Sequence, residues 1–310
     1  MSTLDFSTKI GSKRFSNPIF TASGCASSGQ ELSQFFPLNE LGAIVTKSIM
    51  TKPRTGRATP RMAETPSGML NSIGLQGPGI DTFLEKDIPW LVEQKAKIIV
   101  SIAGETVDEY GVLSRRLRAV SGISAVEVNI SCPNVENRGQ VFACHPDTAV
   151  AVIEAVRRNI GGELPIVAKL SPDVTDIVEI AASVINAGVD GLALINTLLG
   201  MVIDTNTMKP KLAGKTGGLS GPAIRPVAVR AIYQVHQAFP NIPIVGMGGV
   251  ASGRDALELI LAGASAVSIG TATFGNPNAA MQIKEELAEL LTQKGFNDFR
   301  DAIGFAHRGI

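Results

Sequence analysis

Pro165-Ile-Val-Ala-Lys-Leu-Ser171, Asp176-Ile-Val-Glu-Ile-Ala-Ala-Ser-Val-Ile-Asn-Ala-Gly188 and Gly191-Leu-Ala-Leu-Ile-Asn-Thr197 follow one another along the chain and decide its fold. The outer stretches are short, near-continuous apolar runs, the pattern of strands buried on both faces of a parallel sheet. The middle stretch carries Ile, Val and Ala at helical spacing, behind a capping Asp and ahead of Gly188. Together they read as strand, crossover helix and strand.

The same kind of apolar run recurs at Pro18–Gly24, Gly42–Ser48, Ile98–Gly104, Val126–Ser131, Ile242–Gly249 and Ala266–Thr271, which brings the total to eight. Helical patterns lie between them, including Asp147–Arg158 behind an Asp cap and Ser252–Ala262 ahead of Gly263. This alternation predicts an α/β fold, a closed (β/α)8 TIM barrel. A doubly wound sheet is the alternative, because periodicity does not establish closure. Met50–Pro78 and Leu198–Pro222 are too long for bare turns and are read as binding loops or lids. Each follows a strand, which puts both on the C-terminal, catalytic face. Thr8-Lys-Ile-Gly-Ser-Lys-Arg-Phe15 reads as a hairpin plugging the opposite end. Residues 1–310 are read as one domain.

Composition narrows the function. Apolar residues form 45% of the chain and charged ones 18%, ample for a large core. Lys plus Arg equals Asp plus Glu at 28 each, so the basic excess that nucleic acid or an anionic membrane requires is missing. Cys25, Cys132 and Cys144 form no Cys-x-x-Cys pair, so neither a zinc site nor an iron–sulfur cluster is written here. Sparse cysteines, no signal-like start and no apolar run of membrane-spanning length are the profile expected of a cytoplasmic protein.

Several strand ends carry residues that packing does not call for. In Asn129-Ile-Ser-Cys-Pro-Asn134 a thiol sits between asparagines just past a strand. Cys132 there is either a catalytic group or a small residue closing the strand end. Lys47 and Lys169 lie inside apolar strands, where an ammonium must be paired or employed; the bland alternative is a lysine snorkelling outward. Asn71, Asn129, Asn134 and Asn196 occupy strand ends or loops and suit a planar ligand with alternating donors and acceptors, although a single asparagine often serves only a turn. Gly246-Met-Gly-Gly249 and Gly270-Thr-Ala272 fall at the last two strand ends, where (β/α)8 barrels frequently hold a phosphate. Glycines there also simply permit tight turns. His236 is read as surface or interhelical, and no cluster of His, Asp or Glu marks a metal site.

Taken together, Thr21-Ala-Ser-Gly24, Val45-Thr-Lys-Ser48, Asn71-Ser-Ile-Gly-Leu-Gln76, Asn129-Ile-Ser-Cys-Pro-Asn134, Lys169-Leu-Ser-Pro172, Ile195-Asn-Thr197, Gly217-Gly-Leu-Ser-Gly221, Gly246-Met-Gly-Gly249 and Ile269-Gly-Thr271 resemble the class 1 dihydroorotate dehydrogenases over essentially the whole chain. Arg61–Gln76 and Gly139-Gln-Val-Phe142 look most like the class 1B catalytic subunit. Ser101 departs from that pattern, standing where class 1B usually has asparagine and class 1A has serine.

The resemblance implies FMN on the barrel, lined by Ser23, Lys47, Ser48, Asn129, Lys169, Ile195, Gly221, Gly248, Gly249, Gly270 and Thr271. It implies a substrate site built from Lys47, Asn71, Ser72, Ile73, Gly74, Leu75, Asn129, Asn196 and Thr197, with Cys132 as general base. The implied reaction is oxidation of (S)-dihydroorotate to orotate in pyrimidine biosynthesis, the C5 proton passing to Cys132 as a hydride leaves C6 for the flavin. The implied assembly is a homodimer core joined to a subunit carrying FAD and an iron–sulfur cluster, a heterotetramer that passes electrons to NAD. The alternatives are a class 1A homodimer using fumarate, a dihydropyrimidine dehydrogenase, and a phosphate-binding barrel without redox activity.

Overall fold

The computed structural model describes residues 4–130 and 145–309. Eight parallel strands form its centre: β1 (Ile19–Thr21), β2 (Ile44–Val45), β3 (Ile98–Ile102), β4 (Ile123–Asn129), β5 (Ile166–Leu170), β6 (Gly191–Leu194), β7 (Ile244–Met247) and β8 (Ala266–Ile269). Seven of the apolar runs contain one of them whole, and the run Val126–Ser131 overlaps β4, which starts three residues earlier at Ile123. The sheet runs in order from β2 through β8 to β1, and a parallel bridge between Phe20 and Ala43 joins its two edges. Thr21 N donates to Ala43 O at 3.2 Å and Gly42 N to Ile19 O at 2.8 Å across that seam. Closure excludes the doubly wound alternative, and the fold is a (β/α)8 TIM barrel.

Helices Val107–Leu117, Pro146–Ile160, Ile177–Asn186, Arg225–Ala238, Gly253–Ala262 and Ala279–Gln293 follow β3 to β8 along the chain, and the last of them packs against β1. Their starts are written locally. Asp176 accepts from the amides of Val178 and Glu179, and Ser252 accepts from Asp255 N. The Asp147 cap is corrected: His145 is the N-cap and makes no side-chain bond, Pro146 takes the first turn, and Asp147 lies one residue further in. Proline is pre-set for that place and needs no amide partner. His236 is interhelical as read, with its ring centroid 5.0 Å from that of His307.

Period-two alternation divides each strand between a helix-facing and an interior set. Ile166, Ala168 and Leu170 join the outer core, whereas Val167 joins Phe20, Ile99, Ala125, Ala193 and Val245 inside the barrel. The predicted hairpin forms from Thr8–Ile10 and Lys13–Phe15. It delivers Ile10 and Phe15, both 0% exposed, into the same interior cluster. Thr8 Oγ1 donates to Ser265 O at 2.5 Å, just ahead of β8, which fixes the plug at the N-terminal mouth.

The two long connections, read as binding loops or lids, carry strands of their own. Leu198–Met201, Thr216–Ser220, Gly68–Asn71 and Met62–Thr65 pair in that order as a four-stranded antiparallel sheet. Gly218 makes the approach possible, because a Cβ there would sit 2.0 Å from Thr197 Oγ1.

Candidate active site

Above the apolar layer the barrel interior turns polar. Ser101, Glu127, Lys169 and Ser268 are all buried, on β3, β4, β5 and β8. They lie on the interior register of their strands, so the alternation that seats Val167 inside also brings Lys169 inside. Beyond this layer the strand ends open into a cavity of about 1270 Å³, lined also by Met62–Thr65 and by Gly68, Met69 and Asn71 of the antiparallel sheet.

At one side of the cavity Lys169 Nζ donates to Ser23 Oγ at 2.9 Å, and Glu127 Oε1 lies 3.7 Å behind it. Lys47 also lines the cavity, close to Gly24. Cys25 stands near both ammonium groups; burial pushes its thiol up from the ordinary value, against the downward pull of Lys169 and Lys47.

Asparagines converge from three directions. Asn196 Nδ2 donates to Asn129 Oδ1 at 3.3 Å, and Asn129 Nδ2 to Ser48 Oγ at 3.1 Å. Asn71 Nδ2 donates to Gly218 O at 3.3 Å, which ties the first antiparallel connection to the second. Tyr110 OH donates to Asn129 O at 2.8 Å from the helix side and pins the end of β4. Beneath the asparagines the Ser48 and Ser101 hydroxyls are 2.9 Å apart, and Ser101 Oγ donates to Glu127 Oε1 at 2.9 Å.

The opposite end of the cavity is made of backbone. Gly221, Gly248 and Gly249 have φ of +95°, +127° and +75°. At Gly249 a side chain is excluded twice over, by the left-handed φ and because a Cβ would lie 2.8 Å from Arg225 Cβ and 2.9 Å from Gly221 O. Thr271 Oγ1 donates to Ser220 Oγ at 2.8 Å beside Gly270. Bare amides in this arrangement suit an anion such as a phosphate.

The cavity thus gathers Ser23, Lys47, Ser48, Asn129, Lys169, Ile195, Gly221, Gly248, Gly249, Gly270 and Thr271, together with Asn71, Ile73, Leu75, Asn196 and Thr197. Ser72 and Gly74 are not among its lining residues: Ser72 is 1% exposed, and Gly74 packs against Arg57. Cys132, Asn134 and Cys144 lie outside the described residues. Sequence reasoning passed over Glu127, Ser268 and Cys25. Glu127 had a signal, since a carboxylate inside the apolar run Val126-Glu-Val-Asn129 poses the same burial problem as the two lysines.

The family model described as dihydroorotate dehydrogenase matches residues 5–291. A protein of Desulforamulus reducens named dihydroorotate dehydrogenase B (NAD(+)), catalytic subunit, is 50% identical over 304 residues, 98% of this chain and 99% of its own. The protein of the same name from Desulforudis audaxviator is 50% identical over 292 residues, 94% of each chain. That of Trichlorobacter lovleyi is 49% identical over 298 residues, 96% of this chain and 97% of its own. A barrel with lysines, asparagines and a glycine cradle on one cavity, matched over nearly its full length by these relatives, belongs to the dihydroorotate dehydrogenase family, class 1B.

Proposed function

We propose that this chain oxidises (S)-dihydroorotate to orotate in pyrimidine biosynthesis, using FMN and passing the electrons through a partner subunit toward NAD. The observation that carries the reading is the convergence of three chemistries on one cavity: ammonium groups, a ring of amides and a glycine-built anion cradle. The residues fit such a cofactor. Gly248, Gly249, Gly270 and Thr271 would hold its phosphate. Ser268 Oγ, buried at the cavity wall with no partner among the described residues, is a polar atom awaiting one. Lys169 would lie against its ring.

When bound, FMN supplies the hydride acceptor. The chain's own residues bind, orient and move a proton. Asn71, Asn129, Asn196 and Thr197 would hold the pyrimidine ring through its amide edges, and Lys47 would neutralise the carboxylate. Lys169, fixed by Ser23 at 2.9 Å, would place positive charge where negative charge builds. Cys132 would take the C5 proton onto Sγ. A free thiol titrates near ~8.5, so polar or cationic surroundings must favour its thiolate for it to work at neutral pH. The antiparallel sheet over the strand ends would keep water from the ring.

Heat-released cofactor from purified chain should chromatograph as FMN, and dihydroorotate should bleach the bound flavin anaerobically while dihydrouracil, which lacks the carboxylate, should not. A folded preparation that carries no flavin and takes none up when FMN is added would overturn the reading and leave the non-redox phosphate-binding barrel.

A further inference from the structure

Glu127 is a carboxylate that the reaction above leaves without a task. It points inward from β4 one layer below Asn129, is 2% exposed and does not line the cavity. Its Oε1 meets two groups at once, the Ser101 hydroxyl at 2.9 Å and the Lys169 ammonium at 3.7 Å. Both side chains of the ion pair are almost wholly enclosed, 5% exposed for Lys169 and 3% for Glu127. A neutral Ser23 hydroxyl alone would be a poor partner for an ammonium so far from water.

The carboxylate also decides a direction. Ionised, it only accepts, so Ser101 must donate to it. The Ser101 oxygen then receives the Ser48 hydroxyl across 2.9 Å, and Ser48 receives Asn129 Nδ2 at 3.1 Å. With its nitrogen committed there, Asn129 turns Oδ1 to Asn196 Nδ2 at 3.3 Å, while Asn196 Oδ1 accepts Thr197 N at 2.9 Å. From Asn196 down to Glu127, every bond runs toward the carboxylate. A hydroxyl run without a fixed acceptor at its base has no preferred sense, and an asparagine amide above it can flip and exchange donor for acceptor.

We infer that Glu127 is a positioning residue for the proposed reaction. Through Ser101 and Ser48 it fixes which way Asn129 and Asn196 present their amides to the substrate ring, and through the ion pair it holds Lys169 at the cofactor site. The inference rests on the proposed dihydroorotate oxidation.

Two variants separate the two actions. Glu127→Gln removes the charge and lets an amide NH2 face Ser101; Ser101→Ala cuts the run and leaves the ion pair in place. In holoenzyme matched to wild type for flavin content, Glu127→Gln should raise the flavin reduction potential, because a negative charge beside Lys169 is gone. It should also weaken orotate binding and slow anaerobic flavin reduction, each by ~10-fold or more, as misplaced orienting groups do. Ser101→Ala should weaken orotate binding and slow reduction similarly while the potential stays put. An unmoved potential in Glu127→Gln overturns the inference, and so does wild-type orotate affinity in Ser101→Ala. If Glu127→Gln does not fold, the orotate titration of Ser101→Ala decides alone. A wild-type chain that carries no flavin, or whose flavin dihydroorotate does not reduce, fails the functional reading itself before any variant is compared.

Discussion

At the scale of single residues the sharpest expectation concerns Cys132. If its thiolate takes the C5 proton, Cys132→Ala should bind orotate normally yet reduce its flavin ~10²–10⁴-fold more slowly, the usual loss for a positioned base. Cys132→Ser should recover part of that rate at high pH, since a hydroxyl accepts the proton only weakly. Stopped-flow traces of flavin bleaching check both, and a wild-type rate in the alanine variant would remove Cys132 from the mechanism. The residues around the cavity differ in how far the sequence announced them. Lys47 and Lys169 were legible because a charge inside an apolar strand needs a reason. Glu127 raised the same question, but its answer depends on register: Ser101 pairs directly with Glu127 across β3 and β4, and Lys169 with Asn129 across β4 and β5. Register between strands so far apart in sequence is set by the closed barrel, not by either strand alone. Ser72 and Gly74 show the converse, since they share a motif with cavity residues yet do not line the cavity.

Among the elements, the N-terminal hairpin offers a test of fold without touching the site. Ile10 and Phe15 fill the N-terminal mouth at 0% exposure, so truncation leaves a hole that the rigid barrel wall cannot close. Ile10→Ala should cost about 2–5 kcal/mol in urea unfolding, the range for a fully buried aliphatic side chain. Flavin reduction per folded molecule should be unchanged, because the plug occupies the end opposite the cavity. A loss under about 0.5 kcal/mol, the scale of surface substitutions, would mean that the hairpin is not part of the core. The barrel strands and the plug were readable because their apolar patterns are local. The antiparallel sheet was not. Its strands are four or five residues long, Thr216–Ser220 is glycine-rich, and Gly68–Asn71 must find partners almost 150 positions away. Strands of that kind gain their stability from packing over the barrel rather than from their own residues.

For the whole molecule the question is how electrons leave. NAD needs its own nucleotide site, and the sequence contains no Gly-x-Gly-x-x-Gly strand–helix unit to provide one. An iron–sulfur relay needs about four thiolates per cluster, whereas the chain has three cysteines with no Cys-x-x-Cys pair. A barrel that takes up a hydride and has no second redox centre must hand its electrons either to a small oxidant entering the same cavity or to another protein. The names of the relatives, catalytic subunits of an NAD(+)-linked enzyme, favour the second route, which calls for a separate electron-transfer subunit. The isolated chain with dihydroorotate should therefore reduce artificial dyes while leaving NAD unreduced, and adding the partner subunit should restore NADH formation. Absorbance of NADH at steady state, with and without partner, makes the measurement. Efficient NAD reduction by the isolated chain would contradict the need for a partner. Rapid turnover with fumarate would show instead that the oxidant enters the substrate cavity after orotate has left.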